Sequence, residues 1–213
     1  MPHLFEPFTL KSITLRNRVG VSPMCMYSSA DGVATDWHLV HLGARAAGGA
    51  GLVIAEATAV SPEGRITPGD AGIWGEQHIE PLARINRFVK AQGAVPGIQI
   101  AHAGRKASAA VPWKGGVHLA DADGGWPTVS ASAVAFGGAL DKVPHALTET
   151  EIVRVQGDFV AAARRAAAAG YEWLELHAAH GYLSHQFLSP LSNRRTDRYG
   201  GSFENRIRFL VET

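Results

Sequence analysis

Short apolar runs alternate with helix-forming stretches along this chain, and that alternation constrains the fold more than any other feature. Four segments read as buried strands: residues 18–22 (RVGVS), 51–57 (GLVIAEA), 95–102 (VPGIQIAH) and 171–177 (YEWLELH). Their near-continuous apolar character fits strands covered on both faces. Helix-like stretches lie between them at 37–47, 78–92 and 149–169. The last has the clearest boundaries, with Thr148 and Glu151 at capping-box spacing and Gly170 as its stop. A further helix is predicted from Phe203, capped by Ser202. Strands alternating with helices predict an α/β chain with a parallel sheet of βα units.

Four such units make half of an eightfold barrel, whose typical whole is ~250 residues. An open four-stranded sheet would leave an edge strand and apolar surface exposed. The expectation is therefore the N-terminal half, residues 1–213, of a single (β/α)8 barrel. Residues 108–144 stand apart as a Gly-, Ala-, Asp- and Pro-rich excursion after the third strand. Long loops of this kind are usually functional or mobile. Trp113 and Trp126 would either fold it over a pocket as a flap or pin a surface insertion.

Twenty Lys and Arg balance nineteen Asp and Glu, a formal net charge of +1. That balance gives no electrostatic case for nucleic acid or an anionic membrane. No apolar run approaches the ~20 residues of a spanning helix, and the start lacks the pattern of a secretory signal. Cys25 is the only cysteine, so no internal disulfide is possible and a reducing compartment fits. The expectation is a cytoplasmic protein acting on a small molecule.

The chemistry gathers where the apolar runs end, which in parallel α/β folds is where ligands bind. The fourth strand runs into His177-Ala-Ala-His180-Gly-Tyr182. An i, i+3 histidine pair supplies only two metal ligands, fewer than a zinc site takes from protein, and no HExxH or cysteine pair accompanies it. The alternative is a pair of N–H donors aimed at a carbonyl or nitro oxygen, with Tyr182 as a proton donor. The first strand ends in Ser22-Pro23-Met24-Cys25-Met26-Tyr27, a face suited to a flat, polarizable ligand or simply to a core. Gln99 interrupts the third strand, its amide bonding either a heterocycle edge or a neighbour such as Glu56. Ala57 matters by being small. Arg105 and Lys106 would hold an anion or face solvent.

Together these residues resemble the old yellow enzyme family of FMN-dependent ene-reductases. The matching stretches are Leu15-Arg-Asn-Arg-Val19, Ser22 through Ser28, Ile98 through Lys106, His177 through Tyr182, and Leu188 through Asn193 into Asp197-Arg-Tyr-Gly-Gly201. The Cys25 and Tyr27 pair is similar to the thermophilic-like branch, and the long 108–144 loop to its xenobiotic reductases. The resemblance implies FMN lined by Ser22, Pro23, Met24, Cys25, Ala57 and Gln99, with no metal. It further implies that Cys25 tunes the flavin, His177 and His180 grip the substrate with help from Tyr27, and Tyr182 delivers a proton. NADPH or NADH would supply hydride for reduction of activated C=C bonds, and the full-length protein would be a homo-oligomer. Loops after later barrel strands would hold the FMN phosphate, so the 213 residues alone are expected to bind flavin weakly. The alternatives are a non-catalytic half-barrel and a dienoyl-CoA-type flavin reductase with an added iron–sulfur cluster.

Overall fold

The computed structural model describes residues 3–213. Strands β1 (Phe8–Leu10) and β2 (Ile13–Leu15) pair as an antiparallel hairpin ahead of the main sheet. Then follow β3 (Gly20–Val21), α1 (Asp36–Ala47), β4 (Leu52–Ala59), α2 (Ile79–Ala91) and β5 (Val95–Ala101). The two-residue strands β6 (Val129–Ser130), inside the excursion, and β7 (His145–Ala146), just past its end, pair in parallel. The chain ends with α3 (Glu149–Ala168), β8 (Trp173–Leu176), α4 (Leu183–Leu188) and α5 (Phe203–Glu212). The main sheet is parallel throughout, in the order β3-β4-β5-β8. Each strand thus lies beside its predecessor in this sheet, as successive strands of a barrel wall do.

The four predicted strands and four predicted helices all form, although the first strand shrinks to Gly20–Val21. Helix α3 shows why this sequence is helical. The Thr148 side chain accepts from the Glu151 amide while the Glu151 carboxylate accepts from the Thr148 amide at 2.7 Å. Ile152, Val155, Phe159, Ala162 and Ala166 then recur every three or four residues and are all buried. They meet Val53, Ala55, Ile98 and Ile100 of the sheet and Leu82, Ile85 and Val89 of α2 in one core. Each fully buried Leu, Ile or Val contributes roughly 1.5–3 kcal/mol. Gly170 closes the helix at φ +85°, a conformation natural to glycine. Ser202 caps α5 by accepting from the Asn205 amide.

At the N-terminal end of the sheet, Arg16 clamps two helix C-termini. Its guanidinium donates to the Ala46, Ala50 and Gln92 carbonyls at 2.7–3.2 Å. A cation suits the unsatisfied carbonyls that end a helix.

The two tryptophans of the excursion make different contacts. Trp126 anchors it by donating Nε1–H to the Glu63 carbonyl at 3.0 Å, with the Arg65 guanidinium over its ring. Trp113 is 68% exposed but sets its ring edge to face with Tyr27, centroids 5.7 Å apart. One tryptophan pins the loop and the other reaches the strand ends.

Candidate functional site

The site begins with a bulge. Along β4 and β5 the paired residues run Ile54 with Gly97 and Ala55 with Ile98, then skip to Ala57 with Gln99. Glu56 is therefore an extra residue, and such bulges re-aim side chains near active sites. Its carboxylate accepts from the Met26 amide at 2.9 Å and lies 3.3 Å from His38 Nε2. That contact fixes the segment after β3, which carries Cys25 and Tyr27. Past the bulge, Ala57, Gln99 and Glu175 fall in one row across three strands. Gln99 Nε2 donates to Glu175 Oε1 at 2.5 Å, so its partner is Glu175 rather than Glu56. Register explains the exchange, because the two side chains stand directly opposite one another on adjacent strands.

Cys25 and Tyr27 form one wall above this row. Ser22 and Met24 are exposed beside them and Pro23 is half-buried. Burial pushes the Cys25 thiol up to about 12, with the negative charges of Asp70 and Glu56 adding to it. A thiol so placed stays protonated at neutral pH, so it donates a weak hydrogen bond and is no ready nucleophile. Burial also raises the Tyr27 phenol, with Cys25 and Asp70 contributing. Tyr27 sits at φ +51°, left-handed and uncommon outside glycine.

The second wall is the turn after β8. The rings of His177, His180 and Tyr182 form a cluster with centroids 4.7–6.4 Å apart. The hydrogen bonds fix a direction through it. His177 Nδ1 accepts from the Ala179 amide at 3.2 Å, which places the proton of neutral His177 on Nε2. His177 Nε2 in turn lies 3.2 Å from His180 Nδ1 and donates to it. In the neutral state this leaves the His180 Nε2–H as a free donor on an exposed ring. His177 is buried, and burial lowers its affinity for a second proton, the His180 ring and Lys106 adding to the effect. Burial holds the Tyr182 phenol well above its ordinary value, with Cys25, Tyr27 and Asp70 all felt there. Tyr182 lines one small cavity with Ala57 and Ala59 of β4, so the second wall meets the end of the sheet there.

Residues without an obvious sequence signal hold this second wall. Gln186 is 1% exposed. Its Nε2 donates to the Ala103 and Gly181 carbonyls at 3.1 and 2.7 Å, and its Oε1 accepts from the Arg105 amide. Gly104, at φ +61°, comes so close that a Cβ would stand 2.3 Å from Gln186 Oε1. Lys106 Nζ donates to the His180 carbonyl at 3.0 Å and lies over the Tyr182 and Phe136 rings. Arg105 donates to the Val134 and Ala135 carbonyls. Both cations are thus engaged by backbone carbonyls, which answers the choice between anion binding and solvation with neither. The excursion supplies the two carbonyls that hold Arg105, and its path was not readable from composition. Among the described residues, no group of three or more His, Cys, Asp and Glu is placed to hold a metal ion.

Residues 3–213 match the family described as NADH:flavin oxidoreductase / NADH oxidase. An NADH:flavin oxidoreductase of Gibberella zeae is 52% identical over 212 residues, covering 98% of this chain and 51% of that protein. An NADPH dehydrogenase of Bacillus subtilis is 48% identical over 211 residues, 98% of this chain and 58% of the relative. Among solved structures, morphinone reductase in complex with tetrahydroNAD superposes with a TM-score of 0.88 at 34% identity, covering 100% of this chain and 59% of that one. An old yellow enzyme homologue from Zymomonas mobilis gives 0.85 at 33% identity, over 99% of this chain and 58% of its own. The chain thus spans little more than half the length of the proteins it matches, and the sheet is the corresponding part of their barrel.

Proposed function

The chain belongs to the NADH:flavin oxidoreductase / NADH oxidase family, and on that premise we propose that the complete protein is an FMN-dependent ene-reductase using NAD(P)H. Its substrates are activated C=C compounds such as enones, with nitro compounds and other xenobiotics as further acceptors. The observation that carries this reading is a flat row, Ala57, Gln99 and Glu175, set between two walls of hydrogen-bond donors.

The residues fit a flat heterocycle. Ala57 leaves room above the sheet, Gln99 offers an amide edge, and Ser22, Pro23, Met24 and Cys25 border the row from β3. Bound there, FMN would supply the hydride relay from reduced nicotinamide to the substrate's β-carbon. The chain's own residues orient and polarise. His180 donates its free Nε2–H to the substrate oxygen, and His177 behind it keeps His180 Nδ1 an acceptor. Tyr27 donates from the opposite wall. Tyr182, held protonated by burial, delivers its phenolic proton to the α-carbon.

Anaerobic mixing of the complete protein with NADPH should bleach flavin absorbance, and cyclohexenone should restore it. Failure to bleach would overturn the reading. Barrels of this kind build their phosphate site after strands seven and eight. The isolated 213 residues should accordingly hold FMN weakly, and their purification with stoichiometric yellow flavin would refute that.

A further inference from the structure

Asp70 takes no part in the steps above, yet it is 2% exposed. It closes the turn after β4. Its Oδ2 accepts from the Ile66 amide at 2.7 Å, and its Oδ1 accepts from the Thr67 amide and hydroxyl at 3.0 and 2.8 Å. Among the described residues, no Lys, Arg or His bonds this carboxylate. The turn presses on the first wall. Gly69 accepts from the Ser29 amide at 3.0 Å, and a Cβ at Gly69 would stand 2.7 Å from the Tyr27 carbonyl oxygen. Asp70 also lines a small cavity with Ala57, Ile66, Ala101 and Tyr182, which brings it beside the second wall.

We propose that Asp70 is a positioning residue of this site: its carboxyl group locks the turn that backs the left-handed Tyr27 and places a buried carboxylate in the same cavity as Tyr182. Three weak acids converge on it. Cys25, Tyr27 and Tyr182 are each raised in part by Asp70. The titratable groups that share its field are Cys25 and Tyr27 from the segment after β3, Glu56 from β4 with its partner His38 from α1, and Tyr182 from the turn after β8. Burial, with Glu56 adding, pushes the Asp70 carboxyl up to about 7. Near neutral pH it therefore switches between two charge states in the cavity it shares with Tyr182. The inference rests on the proposed function only in calling these groups reacting ones.

Cys25 is the only thiol of these 213 residues, and following iodoacetamide alkylation of its own peptide reports this one thiolate and needs neither flavin nor turnover. The logarithm of the rate should climb with unit slope in pH, except around pH 7. There the newly ionised Asp70 opposes thiolate formation and flattens the slope. Asp70→Asn should restore unit slope throughout and raise the rate severalfold at pH 8. Thr67→Val keeps the carboxylate but removes one donor to it, so the flattening should persist and move to higher pH. A straight profile in the parent, or flattening that survives in Asp70→Asn and so belongs to Glu56 and His38, would overturn the proposal. Should Asp70→Asn not fold, an unmoved flattening in Thr67→Val does the same. Flavin that fails to bleach beside a thiol profile that follows Asp70 would fault the ene-reductase reading alone.

Discussion

The two walls of the site are built by opposite means. Carboxylates brace the wall after β3: Glu56 takes the Met26 amide, and Asp70 takes the Ile66 and Thr67 amides. A carboxamide and a cation brace the wall after β8: Gln186 and Lys106 hold the Gly181 and His180 carbonyls. The two scaffolds push their reactive groups towards the same condition. Burial and negative charge keep the Cys25 thiol and the Tyr27 phenol protonated on one side. Burial and neighbouring nitrogen centres discourage an extra proton on His177 on the other. The pocket thereby presents neutral donors from both sides, a surface suited to polarising an oxygen without trapping it as a salt.

The largest test of this contrast is Tyr182→Phe. Removing the phenol should slow enone reduction in the complete protein on the order of 10²-fold, while flavin bleaching by NADPH proceeds as before. An equal loss in both halves of the reaction would deny Tyr182 its role as proton donor. Next, Gln186→Leu strands the Ala103 and Gly181 carbonyls and the Arg105 amide. It should cost about 2–3 kcal/mol in urea unfolding, as for buried groups left unpaired. Glu56→Gln keeps one acceptor for Met26 and should cost less, about 1 kcal/mol. If the two losses were reversed in size, the carboxylate wall would be the more heavily braced one.

The walls should also respond to pH with opposite sign. The Asp70 pKa is raised in the folded chain to about 7 from an ordinary 3.8. Its contribution to stability is complete below the unfolded value and is lost as pH rises through the folded one. The His177 pKa is lowered from 6.5, so its contribution is present above that value and is lost as pH falls. Denaturant unfolding across pH 4–8 should show the parent losing stability relative to Asp70→Asn as pH rises. Relative to His177→Asn it should lose stability as pH falls. Parallel slopes would erase the distinction. The smallest effect belongs to neither wall. Thr148→Ala breaks the α3 cap and should cost about 1 kcal/mol in unfolding, with the thiol profile unmoved.

Much of this was legible because it depends on neighbours in sequence. The α3 cap needs only Thr148 and Glu151 at their spacing, and the strands need only their apolar runs. The histidines and Tyr182 announce themselves by following such a run. What stayed hidden depends on partners distant along the chain. Strands β1 and β2 are three residues each, so they carry little periodicity. Helix α4 is six residues long, too short for a helical stripe to stand out. The Gln99 partner depends on the register of β5 against β8. The use of Arg105 depends on where a 37-residue excursion (108–144) happens to pass, and that of Lys106 on the turn after β8. Asp70 and Gln186 bond mainly to backbone, and backbone leaves no mark in a sequence.

The bulge in β4 has a consequence of a genetic kind. Gly97 and Gln99 lie two residues apart on β5, while their partners Ile54 and Ala57 lie three apart. Deleting Glu56 alone would restore two-residue alternation and leave Ala57 still opposite Gln99. The floor of the pocket should survive loss of that single codon, whereas the anchors to Met26 and His38 should vanish with it. The strand thus carries its tether as an in-frame insertion, separable from the surface it serves.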